Sequence, residues 1–94
     1  MPLDRRVSFK SAIRQHSRIK VPRVVRGQLK LESSQNLLVT VTPVGTIGVY
    51  ESFYGKIRKD GYITVPPVVM VLLKGDGSSL EGCIVEVTLE PGLA

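Results

Sequence analysis

The chain of 94 residues holds one cysteine, one histidine and no tryptophan, and its aromatic residues are two phenylalanines and three tyrosines. Each scarcity excludes something. The lone thiol, Cys83, can close no internal disulfide, so a reducing, cytoplasmic interior is the expected compartment. One Cys and one His cannot assemble a zinc site. A core with so few aromatic rings has to be aliphatic. No apolar run approaches the roughly 20 residues that span a bilayer, and the charged N-terminus has no apolar stretch of the signal-peptide kind, so no membrane partner is expected.

What is present is mostly valine, isoleucine and leucine, and β-branched side chains favour half-buried strands over long helices. At this length a single domain, residues 1–94, is expected, near the lower limit for burying its own core. The stretch "SRIKVPRVV" (Ser17–Val25) returns 44 residues later as "GYITVPPVV" (Gly61–Val69). With that shift, Phe9–Lys30 aligned on Phe53–Lys74 gives 10 identities in 22 ungapped positions, among them Ile13/Ile57, Ile19/Ile63, Val21/Val65 and Pro22/Pro66. Past the loop "GDGSSLEG" the shift becomes 46, and Leu38–Thr42 aligns with Ile84–Thr88. The chain is two copies of one unit, residues 5–44 and 49–90.

Each copy predicts the same elements. "SFKSAIRQ" and "SFYGKIRK" read as strands, the second bent or bulged at Gly55. The segments "QHSR" and "KDGY" are turns, and Asp60-Gly61 is a hairpin signal because both residues tolerate positive φ. Clean alternation in "RIKVP" and "YITVP" puts Ile19 with Val21, and Ile63 with Val65, on one face. Pro22 and the pair Pro66-Pro67 then suit the opening of helices of about two turns, "RVVRGQLK" and "PVVMVLLK", with Val25/Leu29 and Val69/Leu73 at i, i+4. Strands "LLVTVT" and "IVEVT" follow. The expected fold is mainly β: a closed six-stranded pseudo-two-fold barrel from two strand–strand–helix–strand repeats, with two short helices. Closure hides the edges that one unit leaves exposed.

At this point "GKIRKDGYITVPPVVMVLL…EGCIVEV" resembles the AbrB/SpoVT (swapped-hairpin) DNA-binding domains, through Asp60, Gly61, Ile63, Val65, Pro66 and Gly82–Val87. The first copy is a degenerate match, with His16-Ser17 at the turn. Cys83 and Leu37 stand where that family carries an aspartate, and the chain stops after one final strand where an AbrB unit has another. Tandem copies in one chain with tight turns resemble more closely the related RIFT-type cradle-loop barrels found in small archaeal proteins. The resemblance implies the barrel, with DNA binding and transcription regulation as the expected activity and contacts from Arg14, Arg18 and Arg23, with Arg58 and Lys59 as counterparts.

Charge points the same way. Residues 1–44 carry nine Lys/Arg against Asp4 and Glu32, a net +7; residues 45–94 carry four against six acids, a net −2. A one-sided field of this kind attracts polyanions. The candidate nucleic-acid-binding residues are Lys10, Arg14, Arg18, Lys20, Arg23, Arg26, Arg58 and Lys59; the competing reading is a solvated basic surface. Aromatic residues are too few for a single-strand stacking platform.

No enzyme is expected and no cofactor. His16 sits in a predicted turn, Cys83 at the start of a core strand as a buried inert thiol, and Glu86 and Glu90 on the polar side of the last strand. "GDGS" (Gly75–Ser78) follows a helix where a phosphate loop would precede one. Gly77-Ser78 resembles the self-cleaving pair of double-psi aspartate decarboxylases without that family's other features. The alternative function is a protein-binding adaptor, of the AAA-ATPase substrate-domain or antitoxin kind. A built-in pseudo-dimer favours a monomer, with an AbrB-style dimer as the other option.

Overall fold

The two copies fold onto one another as six antiparallel strands and two short helices in a computed structural model that describes residues 6–29, 36–46, 48–74 and 80–92, apart from the side chains of Gln28, Leu29 and Lys74. Copy one contains β1 (Val7–Arg14), β2 (Arg18–Lys20), α1 (Arg23–Leu29) and β3 (Leu37–Pro43). Copy two contains β4 (Glu51–Gly55), β5 (Tyr62–Thr64), α2 (Pro67–Lys74) and β6 (Ile84–Pro91). The charges of Asp4, Arg5, Lys30 and Glu32 and the Gly75–Ser78 loop lie outside the described residues. No helix is long and apolar enough to cross a membrane among the described residues.

The strand order is β4-β3-β6-β1-β2-β5, and each copy makes its longest ladders with the other copy. Two pairings lie on the pseudo-two-fold axis. Ile19 faces its own counterpart Ile63, and Val41 faces Val87. The symmetry extends to the backbone: Val21 N donates to Gly61 O at 2.9 Å, and Val65 N donates to Ser17 O at 2.8 Å.

The ring, however, is not closed. The sheet is an open, curled half-barrel of 246°. Where β1 pairs with β2 through Ile13 and Arg14, β4 stops at Gly55 and forms no ladder with β5. Two backbone hydrogen bonds at Arg58 span the gap, its N–H to Tyr62 O at 2.9 Å and Gly61 N–H to its carbonyl at 2.8 Å. Register explains the difference. Phe9 pairs with Val87, but Phe53 pairs with Val39 and not with Val87's counterpart Val41. β4 is slipped by two residues, an even number that keeps Phe53 inward while moving its end away from β5. The bend expected at Gly55 thus ends the strand.

Alternation fills the interior. Ile13, Ile19, Val21, Val39, Val41, Ile57, Ile63, Val65, Val85, Val87 and Leu89 are all buried, and among the described residues no polar or charged one is. Each such side chain contributes on the order of 1.5–3 kcal/mol of burial, and Phe53 adds an aromatic ring to them. The helices complete it. Pro67 opens α2, as the missing N–H there is no loss, and Val69 and Leu73 are buried while Val25 of α1 is only half-buried. α2 packs against β4 and so lies beside the open seam.

Val24 and Val68 are identical in the two copies yet exposed, so identity between copies does not mark the core there. One expectation is corrected. Cys83 is exposed and not buried. It precedes β6, directly after Gly82 at φ +86°, with its N–H donating to Leu80 O. The turn therefore takes Cys83 out of the inward alternation that begins at Val85, whereas its counterpart Leu37 already lies in a strand and is buried.

Candidate nucleic-acid interface

The short strand β2 carries two of its three residues as cations, Arg18 and Lys20. β2 and β5 pair along the axis with Ile19 and Ile63 inward, so Arg18, Lys20, Tyr62 and Thr64 share the opposite face. Arg14 joins them as the register partner of Arg18 across the β1–β2 hairpin. Two arginines directly opposite one another repel, a cross-strand cost of roughly 0.2–1 kcal/mol. Neither forms a salt bridge among the described residues.

The turn that joins them is strained as well. His16 and Ser17 hold φ +64° and +56°, left-handed conformations that cost non-glycine residues free energy. The second copy makes the same turn with Gly61 at φ +85°, and the Asp60 carboxylate accepts the Tyr62 N–H at 3.1 Å. Of the expected pair, only Gly61 takes positive φ. Asp60 acts through its side chain instead, as an Asx turn.

Tyr62 is the meeting point. The Arg18 guanidinium and the Lys20 ammonium each lie 4.7 Å from its ring centroid. These cation–π contacts are worth about 0.5–1 kcal/mol each at an exposed site. Arg18 Nε donates to Gln15 O at 3.1 Å, and Lys20 Nζ to Asp60 O at 2.9 Å. Arg58, whose N–H donates to Tyr62 O, adjoins the same residue from the other side, with exposed Lys59 next in the turn. Arg26 on α1 reaches the Gly61 backbone, and Arg23 is exposed at the start of that helix.

The structure thus gathers Arg14, Arg18, Lys20, Arg26, Arg58 and Lys59 around the two turns beside the axis. Lys10 is set apart: it pairs in register with Glu86 on β6, so its charge faces a carboxylate. In the sequence Tyr62 is simply one of five aromatic residues, aligned on Arg18 by the 44-residue shift. Its part as a stacking centre follows from the pairing of β2 with β5, which the repeat symmetry could have signalled. Elsewhere on the outer face a row of hydroxyls crosses four strands, with Ser8–Thr88 at 3.0 Å and Thr40–Ser52 at 2.8 Å. Arg6 and Glu90 form an ion pair at 3.1 Å beside it. No group of three or more His, Cys, Asp or Glu gathers as a metal site among the described residues.

The chain matches no family model and no curated protein. It is similar in fold to PHS018 from Pyrococcus horikoshii, seen in solution, with a TM-score of 0.75 over 97% of this chain and 94% of that one at 16% identity. At that identity the likeness concerns the fold alone.

Proposed function

We propose that this protein binds nucleic acid, duplex DNA in the first instance, through the face that carries Arg14, Arg18, Lys20, Arg58 and Lys59. The observation that carries the reading is the hairpin of copy one. An arginine pair with no salt-bridge partner among the described residues and a strained non-glycine turn both lower stability at one exposed tip, and copy two turns without either. A phosphate backbone offers the counter-charge that the protein itself withholds, and arginine meets it in bidentate fashion. We read the fold as an opened relative of the cradle-loop barrels to which AbrB-like domains are similar. The strand order supports this, since its five ladders are those of a closed six-stranded ring with one junction unzipped. A transcription regulator is the role this reading favours.

Anisotropy of a fluorescent duplex at low and physiological salt tests it. Four or five phosphate contacts give log Kobs against log salt a slope of about −4. Arg14→Ala with Arg18→Ala should remove most of the binding while leaving stability equal or slightly higher. Absence of binding at low salt would sink the reading. A second reading, a protein-binding adaptor, rests on Val68, Val71 and Leu72, an exposed apolar stripe at i, i+3, i+4 on α2. Complexes formed through that stripe would be nearly indifferent to salt.

A further inference from the structure

We propose that Arg26, assisted by Lys20, forms a phosphate-binding notch over the Asp60–Gly61 peptide, at the junction of the two copies. A Cβ placed on Gly61 would fall 2.7 Å from Arg26 Cζ, 2.8 Å from Nη1 and 3.0 Å from Nε. The guanidinium therefore lies against a bare Cα, at a backbone conformation that favours glycine. Its Nε is enclosed and has no acceptor among the described residues. Packing, not a carboxylate, holds this side chain in place, and its Nη groups are the donors left to a ligand.

Lys20 addresses the same peptide from its other end, with Nζ 2.9 Å from Asp60 O. The Asp60 carboxylate is turned to the Tyr62 N–H, and neither cation forms a salt bridge among the described residues. A half-buried guanidinium without a counter-ion is costly to the protein. A planar fork already immobilised loses little further entropy on gripping two phosphate oxygens.

The other end of the pseudo-two-fold serves as an internal control. There the equivalents of Arg26 and Lys20 are Met70 and Thr64, and Ser17 stands where Gly61 does. The frame forms there with no cation at either equivalent position, so the fold does not require the arginine. The notch deepens the nucleic-acid reading and rests on it for the class of ligand: a phosphate group, supplied by a nucleic-acid backbone or as a free or terminal phosphate.

The test is a ¹H–¹⁵N NMR titration of the whole chain with inorganic phosphate, against sodium chloride at matched ionic strength. The Gly61 and Tyr62 amides should shift saturably with phosphate and weaken at least tenfold in Arg26→Met, the residue copy two already uses. Equal shifts in chloride, or saturable shifts that persist in a folded Arg26→Met, overturn the notch. If that variant does not fold, the Arg26 Nε–Hε resonance of the unaltered protein decides: movement with phosphate supports the notch and indifference overturns it. Short single strands with and without a 5′-phosphate separate the sources. Equal perturbation of Gly61 supports a backbone phosphodiester, preference for the phosphorylated strand supports a terminal or free phosphate, and no perturbation by either strand or by inorganic phosphate overturns the proposal. Arg14→Ala with Arg18→Ala should leave the phosphate shifts in place. Absence of duplex binding by the unaltered protein, with its phosphate shifts intact, would reject the DNA reading and keep the notch; duplex binding without saturable phosphate shifts would reject the notch alone.

Discussion

The two copies of the unit are most alike in the core and least alike at their turns. Ile19 and Ile63 face each other on the axis with no exposure at all. A few residues away, copy one turns through His16 and Ser17 with an arginine on each side, while copy two turns through Asp60 and Gly61 with its backbone relaxed. The cations Arg18, Lys20 and Arg26 all belong to copy one, and all three rest on Asp60, Gly61 or Tyr62 of copy two. At this contact copy one supplies the cations and copy two the backbone and ring on which they rest. A duplicated fold can do this because the buried positions answer for stability in both halves, leaving one turn free to carry strain and like charges.

The largest effect tests the likeness. Ile19→Ala and Ile63→Ala should each cost about 3 kcal/mol of unfolding free energy, since both leave a cavity at the shared axis. Urea denaturation of the two variants should agree to within about 0.5 kcal/mol, the margin to which independent mutational effects add. A gap of several times that size would mean the core is not symmetric in energy as it is in geometry.

The next breaks the support. Gly61→Ala combines an unfavourable φ with displacement of Arg26 and should cost about 2 kcal/mol. An unchanged melting curve would show that the turn tolerates a side chain and that Arg26 is not held there.

Hydrogen exchange sharpens the contrast at the seam. The Ile13 amide donates to Cys83 O at 2.9 Å inside a continuous sheet, whereas Ile57 follows the end of β4. Ile57 should exchange about tenfold faster or more, because local opening needs fewer backbone hydrogen bonds broken. Equal protection would mean that the seam zips shut in solution.

The smallest effect is a gain. Ser17→Gly gives copy one the residue that copy two already uses and should stabilise by about 0.5–1 kcal/mol. No gain would show that the left-handed turn is not the source of strain at this tip.

Much of the fold was legible in the residues. The 44-residue shift set the eight elements in order, and period-two alternation put Ile19, Val21 and their counterparts on one face. Phe53 marks where legibility stopped. Alternation reveals which face a side chain takes but is blind to an even slip in register, so the two-residue displacement of β4 and the open seam were not visible. Cys83 shows the same limit, because a positive φ at Gly82 interrupts an alternation that the sequence shows as unbroken. The candidate site was legible as charge and illegible as arrangement. Lys10 and Arg14 look equivalent along the chain, and only the partner strands distinguish them, with Glu86 opposite one and Arg18 opposite the other.

By itself the sequence determined the duplication, the aliphatic core, the local turns and the uneven split of charge, because each of these depends on neighbours within a few residues or on identity between the copies. Only the tertiary structure decided that the ring stays open, that Tyr62 sits between two cations and that Arg26 lies on Gly61. Those outcomes depend on strand register and on contacts between residues some 35 to 45 positions apart, whose geometry is set by how the two halves pack together and by no local preference along the chain.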